Sequence, residues 1–372
     1  MFENLSSTKS ICLPKLADRV FDAGVYENLE YDLAKGVFEK AFNPFNGGCT
    51  AFSTTIDNGD RIAGRNLDFY ISDKPAYVCR TATKDGYKTL GIAYSNNIGP
   101  SYQEALKNGV PADIHKMIPF LCTDVLNEKG LYSEINMRCG EKDEKGNQKF
   151  LCTGTNPGAD TRISVILLQR YIAENCATVE EAVEFTKTLD IFTPTVPGME
   201  WNFCFLMADA QGGYGVLEIA KNKVYWMDKQ PIQTNFYINE ECKKVQDLQC
   251  GIGRYQIVEQ NIPSVHNEKD AMTLLKKVVY SKAYDPDSAL FDIRSEAVGV
   301  KPGWTISFVT DKKNEKMVMD YFYDLKKDMP NMNPAANTTY WNTSYSNVVN
   351  LDKKTMSLRF FEEDSITMDL TF

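Results

Sequence analysis

"CTAFSTTIDNGDRIAGRNLDF", residues 49–69, is the stretch whose reading decides the fold. Two runs suited to β-strands, CTAFSTTI (49–56) and RIAGRNLDFYI (61–71), flank Asp57–Asp60. Asn58-Gly59 between such runs is a strong short-range hairpin signal, because a two-residue turn needs left-handed backbone that Asn and Gly adopt at low cost. With Asn58 and Gly59 as its central pair, Cys49 faces Asp68 and Arg65 faces Phe52. Opposed residues share a face of the sheet, with Cβ atoms ~4.5–5.5 Å apart. A bulge in the turn shifts that register.

Gly47 and Gly48 come directly before Cys49. A cysteine nucleophile needs a base or a lowered pKa. The chain's two histidines, His115 and His266, sit in PADIHKM and IPSVHNE, neither a recognisable catalytic context. A chain can make the base another way. If the Gly48–Cys49 bond is cut, Cys49 gains an α-amine with a pKa near ~7.7–8.0, and one residue carries both nucleophile and base. For self-cleavage the Cys49 thiol attacks the carbonyl of Gly48, which a residue without Cβ leaves open. The thioester then hydrolyses and the lead-in is released. The plain alternative is a glycine loop entering a strand. In the hairpin register above, Asp68 stands beside the new amine and holds it. Arg65 reaches the strand start, where a guanidinium favours the thiolate.

The remaining composition narrows the function classes. The chain has 372 residues, 43% hydrophobic and 24% charged, which suits a globular protein with a sizeable core. A net charge of −9 with no basic stripe argues against nucleic acid. No run approaches the ~18 apolar residues of a membrane span, and no secretory segment opens the chain. The expected location is therefore cytoplasmic, with no membrane partner. The ten cysteines form no CxxC pair, so neither zinc nor a redox motif is expected.

Strand-like and helix-like stretches come in blocks. Residues 1–46 and 102–127 read as helical, and NEKG (127–130) turns into the strand LYSEINMRC. Helix is expected over 161–175 and over 178–189, the latter opening with a capping box of Thr178 and Glu181. Strands are expected at 201–209, 214–220, 223–228 and 232–238. A helical stretch follows at 253–283, then a hairpin at 304–324 and a strand-like tail. Consecutive antiparallel strands with helices between the sets indicate an α+β layered fold. Phe69, Tyr70, Trp201 and Trp304 are candidates for an acyl pocket or for plain core. Glu218 is a candidate site residue or, more plainly, a solvated carboxylate at a strand end.

The stretch 49–69 resembles the start of the mature chain in the choloylglycine hydrolase, or linear amide C–N hydrolase, family of bile salt hydrolases and penicillin V acylases. N-acylethanolamine acid amidases and acid ceramidases are its relatives. Further similar segments are LNEKGLYSEINM (126–137), WNFCFLMADAQGGYGVLEIA (201–220), QTNF (233–236) and GIGRYQIV (251–258). The resemblance implies a four-layer αββα N-terminal-nucleophile hydrolase fold with two packed antiparallel sheets. It implies a propeptide, 1–48, removed by autoproteolysis at Gly48–Cys49, and an amidohydrolase domain, 49–372. Cys49 is then nucleophile and base, Asp68 holds the amine, and Arg65 lines the site. Asn235 and Asn136 donate to the oxyanion, and Arg254 supports the charge network. The implied substrate is a small molecule with a linear amide: an N-acyl amino acid, an N-acyl amine or a conjugated bile salt. No cofactor or metal is implied, and a homo-tetramer is suggested. The same acyl-enzyme serves an acyltransferase, and an uncleaved binding protein is the non-catalytic alternative. Phe236 and Tyr237 after Asn235, and the 48 residues before Cys49, lean toward the acyltransferase and ceramidase-like relatives.

Overall fold

The hairpin forms, with a turn one residue longer than an Asn-Gly pair. Strand β3 (Gly47–Thr55) pairs antiparallel with β4 (Arg61–Tyr70). The Ile56 N–H donates to Asp60 O, and the Gly59 N–H donates back to Ile56 O. This leaves a three-residue loop, Asp57–Gly59, closed by Gly59 at φ +90°. The extra residue moves the register by one. Cys49 faces Leu67, Gly48 faces Asp68, and Ala51 faces Arg65. The expected Cys49–Asp68 and Phe52–Arg65 pairs are corrected accordingly. A slip of one residue exchanges the two faces of a strand, so Arg65 joins Cys49 on one side and Asp68 lies on the other.

The computed structural model describes residues 3–4, 20–32, 47–70, 76–94, 104, 107–138, 141, 143–196, 199–200, 202–246, 251–278, 341–359 and 367–372. Among these, a six-stranded sheet runs β16 (Ile232–Gln233), β3, β4, β17 (Trp341–Asn350), β18 (Thr355–Arg359), β19 (Thr367–Leu370). A nine-stranded sheet runs β1 (Glu3–Asn4), β2 (Val20–Tyr26), β5 (Ala76–Thr81), β6 (Thr89–Tyr94), β7 (Cys122–Asn127), β8 (Tyr132–Arg138), β13 (Asn202–Ala208), β14 (Tyr214–Ala220), β15 (Lys223–Asp228). Two short pairs, β9 (Thr161–Ser164) with β10 (Leu189–Phe192) and β11 (Thr195–Val196) with β12 (Met199–Glu200), lie outside both sheets.

Alternation along the strands builds four layers. Ala63 and Leu67 of β4, with Tyr345 and Val349 of β17, meet Val78, Leu90, Ile92, Leu126 and Tyr132 between the sheets. On the outer face of the small sheet, Phe52, Ile62 and Val348 pack on α5 (Ile252–Asn261) and α6 (Glu268–Lys277). Behind the large sheet, Phe203, Phe205 and Leu217 pack on α2 (Val165–Asn175) and α3 (Val179–Lys187). Helix, sheet, sheet, helix is the αββα order expected. Helix α3 starts as its sequence indicates, with the Glu181 N–H donating to Thr178 Oγ1 at 3.1 Å.

Elsewhere the elements differ from their sequence reading. The lead-in is not all helix: β2 lies parallel to β5, with Ala23 and Tyr26 buried. The 102–127 stretch holds a short helix, α1 (Ala112–Met117), a 3-10 turn, and strand β7. The helix read over 161–175 is preceded by β9, and 253–283 divides into α5 and α6 around a 3-10 turn at Ile262–Ser264. The strand expected at 232–238 stops at Gln233, and helix α4 (Glu240–Lys243) follows shortly. The hairpin expected at 304–324 lies outside the described residues.

The hairpin's packing is tested at Gly64. A Cβ there would sit 2.7 Å from the Phe52 ring of the facing strand, a buried side chain pressed on α5 and α6. Gly64→Ala should cost roughly 1–3 kcal/mol through overpacking, read as a lower denaturant midpoint; an unchanged midpoint refutes this packing.

Candidate active site

Cys49 is buried between the sheets, at 4% exposure. Its N–H donates to Asn235 Oδ1 at 2.9 Å. Its sulfur accepts from Arg65 Nη2 at 3.4 Å. Sulfur and nitrogen of one residue are thus held by different side chains, one from the neighbouring strand and one from the loop after β16.

Arg65 reaches across from the small sheet to the large one. Nη1 donates to Asp124 Oδ2 at 2.6 Å and to Tyr345 Oη at 3.1 Å. Nη2 donates to Ile135 O at 2.8 Å, and Nε lies 3.0 Å from Glu134 Oε2 without hydrogen-bond alignment. Asp124 also accepts from Tyr132 Oη at 2.5 Å and from Tyr345 Oη. All these side chains are buried. Burial pushes the Cys49 thiol up to about 11, and the pull of Arg65 in the other direction is smaller. The guanidinium therefore favours the thiolate without making it the resting form. Burial likewise raises the Glu134 carboxyl to about 8, against the opposing attraction of Arg65.

The other sequence candidates gather around the same backbone. Arg254, on α5, donates to Cys49 O, to Thr50 Oγ1 at 2.7 Å and to Asp68 Oδ2 at 2.8 Å through Nη1, and to Asn235 Oδ1 at 2.7 Å through Nη2. Asp68 also accepts from Thr343 Oγ1 at 2.7 Å. Asn235 thus takes the Cys49 N–H, and Asp68 is linked to that group through Arg254. Asn235 Nδ2 donates to Met137 O at 2.7 Å. Strand β7 pairs with β8 only as far as Asp124–Glu134. Beyond it, side chains take the carbonyls of Ile135 and Met137, and Asn136 lies between them. Both amide atoms of Asn136 are buried without a hydrogen bond among the described residues. Gly48 runs in extended strand within β3, so the peptide bond before Cys49 is part of the sheet.

Asp124, Glu134, Thr343 and Tyr345 were not singled out by the sequence reading. One signal pointed to Glu134: Tyr132, Glu134, Asn136 and Arg138 hold alternate positions of a strand that is mostly buried on both faces. Polar groups at every second position mark the face turned to the other sheet. Glu218, read as solvated, is fully buried and accepts from the Ile238 and Asn239 N–H groups. The side chains of Phe69, Tyr70, Trp201 and Trp304 lie outside the described residues.

The raised Glu134 carboxyl has a consequence for stability. A free glutamate titrates near ~4.3, so the fold favours the protonated form, and stability is lost as pH rises from there through about 8. Glu134→Gln is neutral throughout. Its melting temperature relative to wild type should rise between about pH 5 and about pH 8, measured by thermal unfolding. A constant difference across that range contradicts the buried, neutral carboxyl.

Among known proteins, the family model described as acyl-coenzyme A:6-aminopenicillanic acid acyl-transferase matches residues 54–288. That span contains Arg65, Asp68, Asn136, Asn235 and Arg254. No curated protein matches the chain. Among solved structures, a point mutant of conjugated bile acid hydrolase from Clostridium perfringens is similar at 12% identity and TM-score 0.50, covering 87% of this chain and 92% of that one. Penicillin V acylase from Agrobacterium tumefaciens is similar at 14% identity and TM-score 0.39, covering 84% and 83%. The bile acid hydrolase supports the N-terminal-nucleophile hydrolase fold that the four layers display. Since the model match spans more than half of the chain, the protein belongs to the acyl-coenzyme A:6-aminopenicillanic acid acyl-transferase family.

Proposed function

We propose that this chain cuts itself between Gly48 and Cys49 and then hydrolyses a linear amide through an acyl-thioester on Cys49. In the first step the thiol gives its proton to solvent and the thiolate adds to the Gly48 carbonyl. The C–N bond breaks, the Cys49 nitrogen leaves as an amine protonated by water, and a second water hydrolyses the thioester. In turnover the amine takes the thiol proton and hands it to the departing amine of the substrate. It then takes a proton from the water that releases the acid. Asn235 Oδ1 accepts from the amine, Arg254 links Asp68 to Asn235 and to the Cys49 carbonyl, Arg65 supports the thiolate, and Asn136 donates to the oxyanion. Such donors contribute several kcal/mol in a dry site. Substrates of this class are N-acyl amino acids, N-acyl amines and conjugated bile salts.

The observation that carries this reading is the double hold on Cys49: nitrogen on Asn235 and sulfur on Arg65. Cleavage need not release the lead-in. Strand β2 is hydrogen-bonded to β5, Asp22 is paired with Arg80 Nη1 at 2.9 Å, and Tyr31 Oη donates to Glu174 Oε2 at 2.7 Å. We infer that residues 1–48 stay attached after the cut. Acyl transfer to an amine starts from the same thioester, and the family's description names such a transfer.

Intact mass of the purified protein should show a fragment beginning at Cys49 together with residues 1–48, both eluting as one species in gel filtration. Cys49→Ala should stay full length and inert on a panel of bile salt conjugates, penicillin V, N-acyl amino acids and N-acylethanolamines. Adding an amine to the assay separates transfer from hydrolysis. A wild-type chain that stays whole and inert on the panel leaves the binding-protein reading instead. Because the thiol titrates at about 11 in the uncut chain, the self-cleavage rate should climb about tenfold per pH unit below that value. A rate that does not change between about pH 7 and about pH 9 speaks against attack by this thiolate.

A further inference from the structure

The loop carrying Asn235 has no ladder of its own. Strand β16 ends at Gln233, and α4 begins only at Glu240. Side chains take several of its backbone polar groups. Gln233 Nε2 lies 3.2 Å from Thr234 O and 3.3 Å from Phe236 O, donating to both. The Gln246 side chain accepts from the Tyr237 N–H and donates to the Tyr237 carbonyl, each at 2.9 Å. Glu218, on β14, takes the next two peptides: Oε1 accepts from the Ile238 N–H at 2.9 Å, and Oε2 from the Asn239 N–H at 3.1 Å. Oε2 also accepts from Asn239 Nδ2 at 2.6 Å. That fixes Asn239 so that its Oδ1 caps α4 at the Cys242 N–H.

We propose that Glu218 is a positioning residue for Asn235, holding the loop so that Oδ1 meets the Cys49 nitrogen and Nδ2 meets Met137 O. The inference rests on the proposed roles of Cys49 and Asn235. Glu218 is fully buried in the field of Arg138, and among the described residues the hydrogen bonds its side chain accepts come from the loop. Burying an ionisable carboxyl this way is expensive unless its oxygens are filled by donors. Here every such donor belongs to Ile238 or Asn239. Glu218, Cys204 and Asn136 face one another across β14, β13 and β8, so the anchor stands in the same row as the free amide of Asn136. An anchor of the loop that carries Asn235 acts on geometry, where a displacement of about 1 Å can cost about 100-fold in rate.

The test compares wild type with Glu218→Leu and Glu218→Gln, measuring kcat and KM per titrated active site, and the self-cleavage rate by mass. Glu218→Leu should lower kcat and self-cleavage about 10- to 100-fold, with KM within about twofold because substrate contacts are untouched. Glu218→Gln keeps the shape and one acceptor oxygen for the Ile238 N–H, and should recover part of the loss. It also remains informative if the leucine variant fails to fold. Wild-type kcat and cleavage rate in both variants overturn the proposal. So does a loss confined to the yield of folded protein with kcat per site unchanged. Failure of the underlying reading shows in the wild type itself, which then remains uncut, and it removes this inference as well.

Discussion

The length of one turn decides what stands beside the sulfur. With a three-residue loop at Asp57–Gly59, the inward side of β4 carries Ala63, Arg65 and Leu67, and the outward side carries Gly64, Asn66 and Asp68. A two-residue turn reverses that assignment. It sends the Arg65 guanidinium out among the helices and brings the Asp68 carboxylate in between the sheets. The observed register supplies a cation to a thiol that burial disfavours ionising, and it leaves Asp68 to meet Arg254 on the helical side. Cys49 is thus gripped from both faces of its own strand, its side chain from one and its backbone from the other.

The space between the sheets is unusual for a core. Apolar residues fill one part of it, but Arg65, Asp124 and Glu134 are buried there together with the hydroxyls of Tyr132 and Tyr345. Desolvating such a set costs several kcal/mol per ion, and the attraction within it offsets that cost only if nearly every oxygen and N–H finds a partner. Arg65 comes close: Nη1 and Nη2 each have partners, and only Nε lacks an aligned one. What the cluster provides is uniqueness of packing. The two sheets can slide over apolar contacts at small cost, but a guanidinium shared by a carboxylate and a carbonyl of the opposite sheet permits one placement.

Much of this arrangement was legible in the sequence, and the illegible parts have physical reasons. The β13–β15 meander was readable because AQGG and KNK interrupt strand-like runs, and Gly212 adopts the positive φ that such a turn requires. Cys49, Arg65 and Asp68 were found from one hairpin, although its register was off by one: Asn58-Gly59 also fits a loop in which only Gly59 is left-handed. Strand β7 was hidden because all six of its residues are buried, which removes the alternation that distinguishes a strand from a buried helix. Strand β2 was hidden because its parallel partner lies some fifty residues away and no local turn announces it. Tyr345 and Thr343 join the site by pairing with β4 across most of the chain, a contact that no window of sequence contains.

That last pairing ties chemistry to synthesis. Strand β17 is made long after β4, yet it provides the hydroxyl that Arg65 shares and the threonine that caps Asp68. Contacts this remote in sequence form slowly, because the chain must close a long loop before they return any stability. A nascent or truncated polypeptide ending before residue 343 holds Gly48 and Cys49 but not the surroundings that arrange them. In the self-cleavage proposed above, the bond before Cys49 is then spared by the geometry of the unfinished molecule, and the cut becomes a readout of completed folding.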